Sequence, residues 1–148
     1  MAEYYPPVAF HFKVEFSISV GTPTTRDARF MEVSGITQSM DTEQLKEGGN
    51  NLFSYKLPTR GNFGNLVLKR GFYIDSGIVE WVQKALDDQE FSPGTITVQL
   101  LNQDHESITR WDFYRAYPVK WDISALDAKK NDIVVETLEL AYAYFKKS

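Results

Sequence analysis

A chain of 148 residues is long enough to bury one sizeable core, and 43% hydrophobic residues are too many for a disordered one. The absence of cysteine excludes disulfides, thiolate nucleophiles and zinc–cysteine sites. A net charge of −4, with Lys69-Arg70 and nearby Arg60 as the one basic cluster, argues against a surface that grips DNA from outside.

The first residues, Met1-Ala2-Glu3-Tyr4-Tyr5-Pro6-Pro7, carry neither a basic region nor an apolar stretch, so they do not read as a signal peptide. No apolar run approaches the roughly 18 residues of a membrane span. The expectation is a soluble protein made in the cytoplasm without Sec-type export. Residues 8–20 alternate with period two. Phe10, Phe12, Val14, Phe16, Ile18 and Val20 face one way, and His11, Lys13, Glu15, Ser17 and Ser19 the other, which predicts a long strand with one buried face. A turn follows at 21–25. A short strand is predicted over 28–33, ended by Ser34-Gly35. Residues 36–45 alternate weakly and are polar on both sides, as expected of a solvated sheet surface or of one that meets a partner. The run Lys46-Glu47-Gly48-Gly49-Asn50-Asn51 reads as a loop or hairpin tip, since glycine and asparagine accept positive φ. A strand over 53–57 is predicted to close at Pro58, and another spans 65–69 with Leu66 and Leu68 inward.

One helix is predicted, over 76–89. Asp75-Ser76-Gly77 offers capping chemistry, Ile78, Val82, Ala85 and Leu86 form a single apolar stripe, and Asp75 and Glu80 suit the positive end of the helix dipole. Strands over 95–101 and 107–114 form a hairpin about the turn 102–106. An extended segment over 116–123 follows, in which Pro118 marks an edge or a bulge. Residues 124–132 are a polar connection, and 133–145 a last long strand. With about eight to ten strands, hairpin turns, one helix, and no repeat or linker, the fold class expected is mainly β in one domain: an antiparallel two-sheet barrel or sandwich with one flanking α-helix.

The chemistry-bearing residues do not converge. A hydrolytic triad needs a histidine beside a nucleophile, whereas His11 lies on the polar face of the first strand and His105 in a turn. Asp87, Asp88 and Glu90 point in different directions at a helix end, and Asp122, Asp127 and Asp132 lack the glycine of a calcium loop. Arg60-Gly61-Asn62-Phe63-Gly64 lacks the lysine and serine of a phosphate loop. The expectation is no enzyme, no cofactor and no metal. Two segments remain unexplained by a monomer: the stiff arm Tyr4-Tyr5-Pro6-Pro7, and the loop 45–51, which offers no core residue except at its ends.

Several segments together resemble one family. Phe30-Met31-Glu32-Val33-Ser34-Gly35-Ile36 resembles the F-x-x-V-S-G-L/I stretch of contractile tail tube proteins. Tyr55-Lys56-Leu57-Pro58 and Leu66-Val67-Leu68-Lys69-Arg70-Gly71 are similar to their LP…L-x-L-K-R-G core, followed in place by a helix with Trp81. Trp111-Asp112-Phe113, Ala116-Tyr117-Pro118 and Trp121 resemble their W-x-F…A-x-P-x-x-W segment. Asn131-Asp132-Ile133 with Glu136-Thr137-Leu138-Glu139-Leu140 resembles their closing strand. No one motif is specific, but five in family order are, and they cover about residues 8–145. The family includes tube proteins of contractile phages and of phage-derived injection particles, and more distantly resembles the ring protein of type VI secretion.

The resemblance implies a two-sheet barrel, six copies to a ring, and rings stacked around a lumen for cargo protein or DNA. The partners it implies are the chain itself, a sheath protein, and baseplate and tube-terminating proteins. Assembly would take place in the bacterial cytoplasm, before the chain becomes part of a phage tail or an extracellular or anchored particle. The loop 45–53 would reach the adjacent ring through Leu45, Lys46, Glu47, Asn50 and Asn51. The arm, with Tyr4, Tyr5 and Pro6, would help at a subunit or ring contact. Lys69 and Arg70 match the family's basic pair, which binds acids on a neighbour or within the fold, and Gln38 and Thr42 would face the lumen. A tube-initiating baseplate protein shares the same motifs and is the first alternative. A monomeric ligand-binding β-barrel is the second.

Overall fold

The computed structural model describes residues 12–21, 23, 29–45, 55–73, 76–129 and 131–148. In chain order it contains β1 (Phe12–Ser17), β2 (Glu32–Ser34), β3 (Gln38–Leu45), β4 (Tyr55–Phe63), β5 (Leu66–Gly71), α1 (Val79–Leu86), β6 (Gly94–Leu101), β7 (Ser107–Ile123), β8 (Val135–Ala141) and β9 (Tyr144–Lys147). Seven strands join in the order β1-β6-β7-β8-β5-β2, with β9 also on β7, and every pairing is antiparallel. Among the described residues the strands β3 and β4 pair only with each other. The mainly β, two-sheet architecture with one helix is the one the sequence predicts.

The seven strands fold as two layers, β1-β6-β7-β9 and β7-β8-β5-β2, which share β7. Its first half pairs with β6 and β9, and its second half with β8. Sequence patterning predicts two strands, 107–114 and 116–123, but the structure has one strand of 17 residues. The division predicted at residue 115 is a corner and not an end. Arg115 adopts a left-handed φ of 56°, and one extra β7 residue is accommodated there between the pairs Gly94↔Ala116 and Ile96↔Phe113. Such a bulge increases local twist and bends the strand. A second bulge falls at Val119, beside Pro118, as the proline predicts. The bend has a counterpart across the ladder. The last strand, predicted unbroken over 133–145, divides at Tyr142-Ala143 into β8 and β9, and the Ala143 N–H donates to the Tyr114 carbonyl at 2.9 Å. The interruption shifts the alternation by one residue, so that Phe145 packs on the core and Tyr144 is exposed.

The core lies between the sheets and under the helix. Val14, Ile96, Val98 and Phe113 come from one sheet and Leu66, Leu68, Leu138 and Leu140 from the other. Ile78, Trp81 and Val82 cover them from the α1 segment. The alternation read in the first strand is present, with Val14 buried between exposed Lys13 and Glu15. The strand itself ends at Ser17, although Ile18 and Val20 still pack on the core, and positions 8–11 lie outside the described residues. The predicted 28–33 strand is the shorter β2. The helix is shorter than 76–89. Ser76 Oγ accepts the Ile78 N–H at 3.3 Å ahead of the first turn, and Gln89, at φ 55°, stands past its end. The Trp81 indole N–H donates to the Ser92 carbonyl at 2.8 Å, which satisfies the one polar atom of a buried ring.

On the buried face of β5 and β8 the directly opposed pairs are Leu66↔Leu140, Leu68↔Leu138 and then Arg70↔Glu136. Period two therefore carries an arginine and a glutamate inward. Arg70 is 3% exposed, and its Nη2 lies 3.2 Å from Glu136 Oε1 and 2.8 Å from Ser76 Oγ. Its guanidinium also lies over the Phe30 and Tyr73 rings, 5.1 and 5.7 Å from their centroids. One side chain thus ties β5 to β8, to the approach to α1 and to the segment before β2.

Two predictions follow from these contacts. Glu136→Gln leaves a buried guanidinium without its counter-charge and lowers unfolding free energy by about 3–5 kcal/mol, while the pair Arg70→Met with Glu136→Leu recovers most of that loss; urea denaturation of the three chains measures both. Gly35 holds a φ of 88° with its α-carbon against the Asn65 carbonyl, where an added Cβ would collide with backbone. Gly35→Ala is expected to destabilise by several kcal/mol, on the order of 2–4, and a thermal midpoint unchanged from the parent chain would contradict this reading.

Candidate assembly surface

Among the described residues no group of three or more His, Cys, Asp or Glu stands close enough to hold a metal ion. His105 sits at φ 61° in the turn between β6 and β7, and His11 lies outside the described residues. Asp112, the one buried aspartate among the described residues, accepts from Thr97 Oγ1 at 2.7 Å and faces Arg110 Nε at 3.5 Å, so its charge is compensated within the sheet. Burial raises the Tyr142 phenol above its ordinary value, and its hydroxyl has no hydrogen-bond partner among the described residues. That ring packs edge-on against Phe113 and tilted against Phe63, an environment that shields it from water.

The unusual feature is the ribbon of β3 and β4. The paired strands β2 and β5 continue into it through residues 35–37 and 64–65, where the Gly64 N–H donates to the Thr37 carbonyl at 3.2 Å. Phe63 anchors its base, with its ring 5.9 Å from Tyr142 and 5.2 Å from Phe145. Beyond that base every residue of β3, and β4 from Tyr55 through Gly61, is exposed. Pro58 does not close β4, as its sequence predicts. It sits opposite Thr42 next to a bulge that sets Thr59 and Arg60 against Asp41, a place where a missing N–H is tolerated.

Alternation assigns the ribbon's two faces. Gln38, Met40, Thr42 and Gln44 share one face with Phe63, Pro58 and Lys56. Ser39, Asp41, Glu43 and Leu45 share the other with Asn62, Leu57 and Tyr55. Near the tip of the second face Leu45 and Leu57 are each 46% exposed and Tyr55 is 44% exposed, three apolar side chains together in solvent. A two-stranded ribbon with nothing packed on it is marginal in water. Among the described residues neither outer edge is paired with another strand, which leaves backbone donors and acceptors open to a partner.

Of the residues singled out by sequence, Leu45 lies at this tip, and Gln38 and Thr42 lie together on the face shared with Met40. Lys69 is half-buried and pairs with Glu32 across the β2–β5 ladder at 3.6 Å. Arg70, expected at a contact either between subunits or within the fold, points into the interior to Glu136 because it shares the inward parity of Leu66 and Leu68. Tyr4, Tyr5, Pro6, Lys46, Glu47, Asn50 and Asn51 lie outside the described residues. The exposed Met40, Tyr55 and Leu57 were not singled out. The signal for them was an apolar residue repeated at even spacing in strands otherwise polar on both faces.

No curated protein is similar enough to count as a match. Solved structures that resemble the chain include chains of an extracellular contractile injection system. A chain of the anti-feeding prophage baseplate, from a cryo-EM structure symmetrised sixfold, is 29% identical with a TM-score of 0.91, over 99% of this chain and 97% of that one. A chain of the extended sheath–tube complex of the PVC extracellular contractile injection system is 24% identical with a TM-score of 0.80, over 97% and 92%. The Hcp1 protein of Flavobacterium johnsoniae shares the fold at 15% identity and a TM-score of 0.54, over 94% and 95%. The model of the T4-like virus tail tube protein gp19 family matches residues 8–146, and with nearly the whole chain covered the protein belongs to that tail tube family.

Proposed function

We propose that the chain is a structural ring subunit of the inner tube of a contractile injection system. Six copies close a ring, and rings stack into a hollow tube inside a sheath, bounded by baseplate and terminating proteins. Cargo protein or DNA passes along the lumen. The role is architectural, and no catalysis is assigned to it. Production in the bacterial cytoplasm precedes incorporation into the particle. The observation that carries this reading is the exposed β3–β4 ribbon. It has free edges on both sides and apolar side chains at its tip, and it extends from a body whose own core is already filled. In the assembly the ribbon and the loop 45–53 reach an adjacent ring, while Lys46, Glu47, Asn50, Asn51 and the arm with Tyr4, Tyr5 and Pro6 add contacts between subunits. Gln38 and Thr42 present polar groups to the lumen.

A second reading places the chain in the first ring, on the baseplate, where the tube is initiated. The similarity to a baseplate chain, at 29% identity and a TM-score of 0.91, favours it over the 24% and 0.80 of the sheath–tube chain. The two readings share the ring and differ in what continues from it.

Negative-stain electron microscopy and sedimentation velocity over a rising protein concentration separate them. The tube reading expects sixfold rings that lengthen into stacked tubes. Rings that never stack would move the assignment to the initiating ring, and a monomer at every concentration would move it toward a ligand-binding barrel. Leu45→Ser with Leu57→Ser removes two exposed apolar groups without touching the core. At about 1–2 kcal/mol for each side chain it is expected to raise the concentration needed for stacking by at least tenfold, with near-ultraviolet circular dichroism unchanged.

A further inference from the structure

The β3–β4 ribbon and the β7–β8 connection leave the body at opposite ends of one ladder. In the pairing of β5 with β8, Leu66 faces Leu140 at one end and Gly71 faces Val135 at the other. The ribbon enters β5 at the Leu66 end. The connection of residues 124–134 enters β8 at the Val135 end, where it is clamped by two bonds: the Ser124 N–H donates to the Val135 carbonyl at 2.9 Å, and the Val135 N–H donates to Ser124 Oγ at 2.9 Å.

This second end carries the two most exposed large apolar side chains among the described residues, Leu126 at 78% and Ile133 at 75%. They border a concavity of about 780 Å³. Isolated exposed apolar residues are ordinary; two at the rim of one concavity, on a loop closed at its base, make a contact surface. Beside Asp127 and Asp132, which border the concavity, the described residues of this loop carry one cation, of opposite sign to Glu43 at the ribbon tip. Glu43 stands directly opposite Leu57 on the ribbon's apolar face, and Lys129 lies between Leu126 and Ile133 in the chain. Both are exposed, and neither has an ion-pair partner among the described residues. Asp127 Oδ1 accepts the Lys129 N–H at 2.9 Å and fixes the turn that presents the lysine.

We infer that the β7–β8 connection of one copy receives the ribbon tip of a second copy. Leu126 and Ile133 take the Leu45, Tyr55 and Leu57 face, and Lys129 pairs with Glu43. The two surfaces differ and leave opposite ends of the β5–β8 ladder, so the contact is heterologous. A heterologous contact does not close on a pair of copies; it closes into a ring or repeats along a line, and stacked rings require the second. The inference rests on the tube reading above, and it adds the receiving half of the ring-to-ring contact.

The test uses the full chain and reads stacking by sedimentation velocity and electron microscopy, with thermal unfolding as the control for folding. Leu126→Ser with Ile133→Ser is expected to leave single rings and to raise the stacking concentration at least tenfold. Glu43→Lys and Lys129→Glu are each expected to weaken stacking, and the two together to restore most of it. Restoration is the readout that mere damage to either loop does not give. Stacking of the Leu126, Ile133 variant at the parent concentration would overturn the inference while leaving the tube reading in place. Loss in both charge variants without restoration in the double variant would overturn the Glu43–Lys129 pairing. Absence of stacks from the unsubstituted chain would overturn the tube reading and this contact with it.

Discussion

A single strand that belongs to two sheets organises this protein. β7 pairs with β6 and β9 along its first half and with β8 along its second. A strand can turn such a corner only if its partners release it at the right place. The extra residue at Arg115 and the interruption at Tyr142-Ala143 do this from opposite sides of the strand. The left-handed φ at Arg115 costs about 1 kcal/mol for a residue with a Cβ. Burial of Phe113 and Ala116 on either side offsets that cost several times over. The corner also brings Phe113, Tyr142 and Phe145 into mutual contact and sets Phe63 against them. The base of the ribbon is thereby fixed to this aromatic cluster.

Most of the body was legible because period two holds wherever one face is buried. The alternation of Phe12, Val14 and Phe16, and that of Leu66 and Leu68, located β1 and β5 and their inward sides. What escaped were the places where tertiary geometry overrides local signals. Pro58 looked like a strand end, but a bulge on an unpaired edge tolerates it. The final strand looked continuous, but a bend in its partner divides it. Arg70 shows the other kind of miss. The spacing Leu66-x-Leu68-x-Arg70 mirrors Glu136-x-Leu138-x-Leu140 in the reverse direction. Had alternation been followed past the last leucine, the buried ion pair was there to be read. On the candidate surface, sequence marked Leu45, Gln38 and Thr42 but passed over Tyr55 and Leu57, because their exposure is a property of the ribbon's separation from the body and not of its composition.

The buried pair and the exposed ribbon answer different requirements. Replacing a buried ion pair by apolar residues is often neutral or stabilising, so Arg70 and Glu136 are poorly explained as a source of stability alone. What they add is direction. The guanidinium reaches Glu136, Ser76 and the faces of Phe30 and Tyr73, and so fixes how the approaches to α1 and β2 sit on the β5–β8 ladder. β2 and β5 are the strands that continue into the ribbon, and Gly35 and Asn65 meet at the point of departure. A core element that orients this pair therefore also helps set the direction in which the ribbon leaves the body.

Magnitudes explain why such a surface suits a ring better than a free monomer. Three half-exposed apolar side chains meeting two exposed ones release on the order of 4–5 kcal/mol of apolar burial. Alone, that corresponds to roughly millimolar affinity before any cost of ordering the partners. A net charge of −4 adds mutual repulsion between free subunits. In the proposed ring, six such contacts form together, and after the first is made the rest are intramolecular. Stacking then becomes steeply dependent on prior ring closure. Contacts that are individually weak keep the subunit from polymerising prematurely, and their multiplication across a ring gives a tube that does not come apart one subunit at a time.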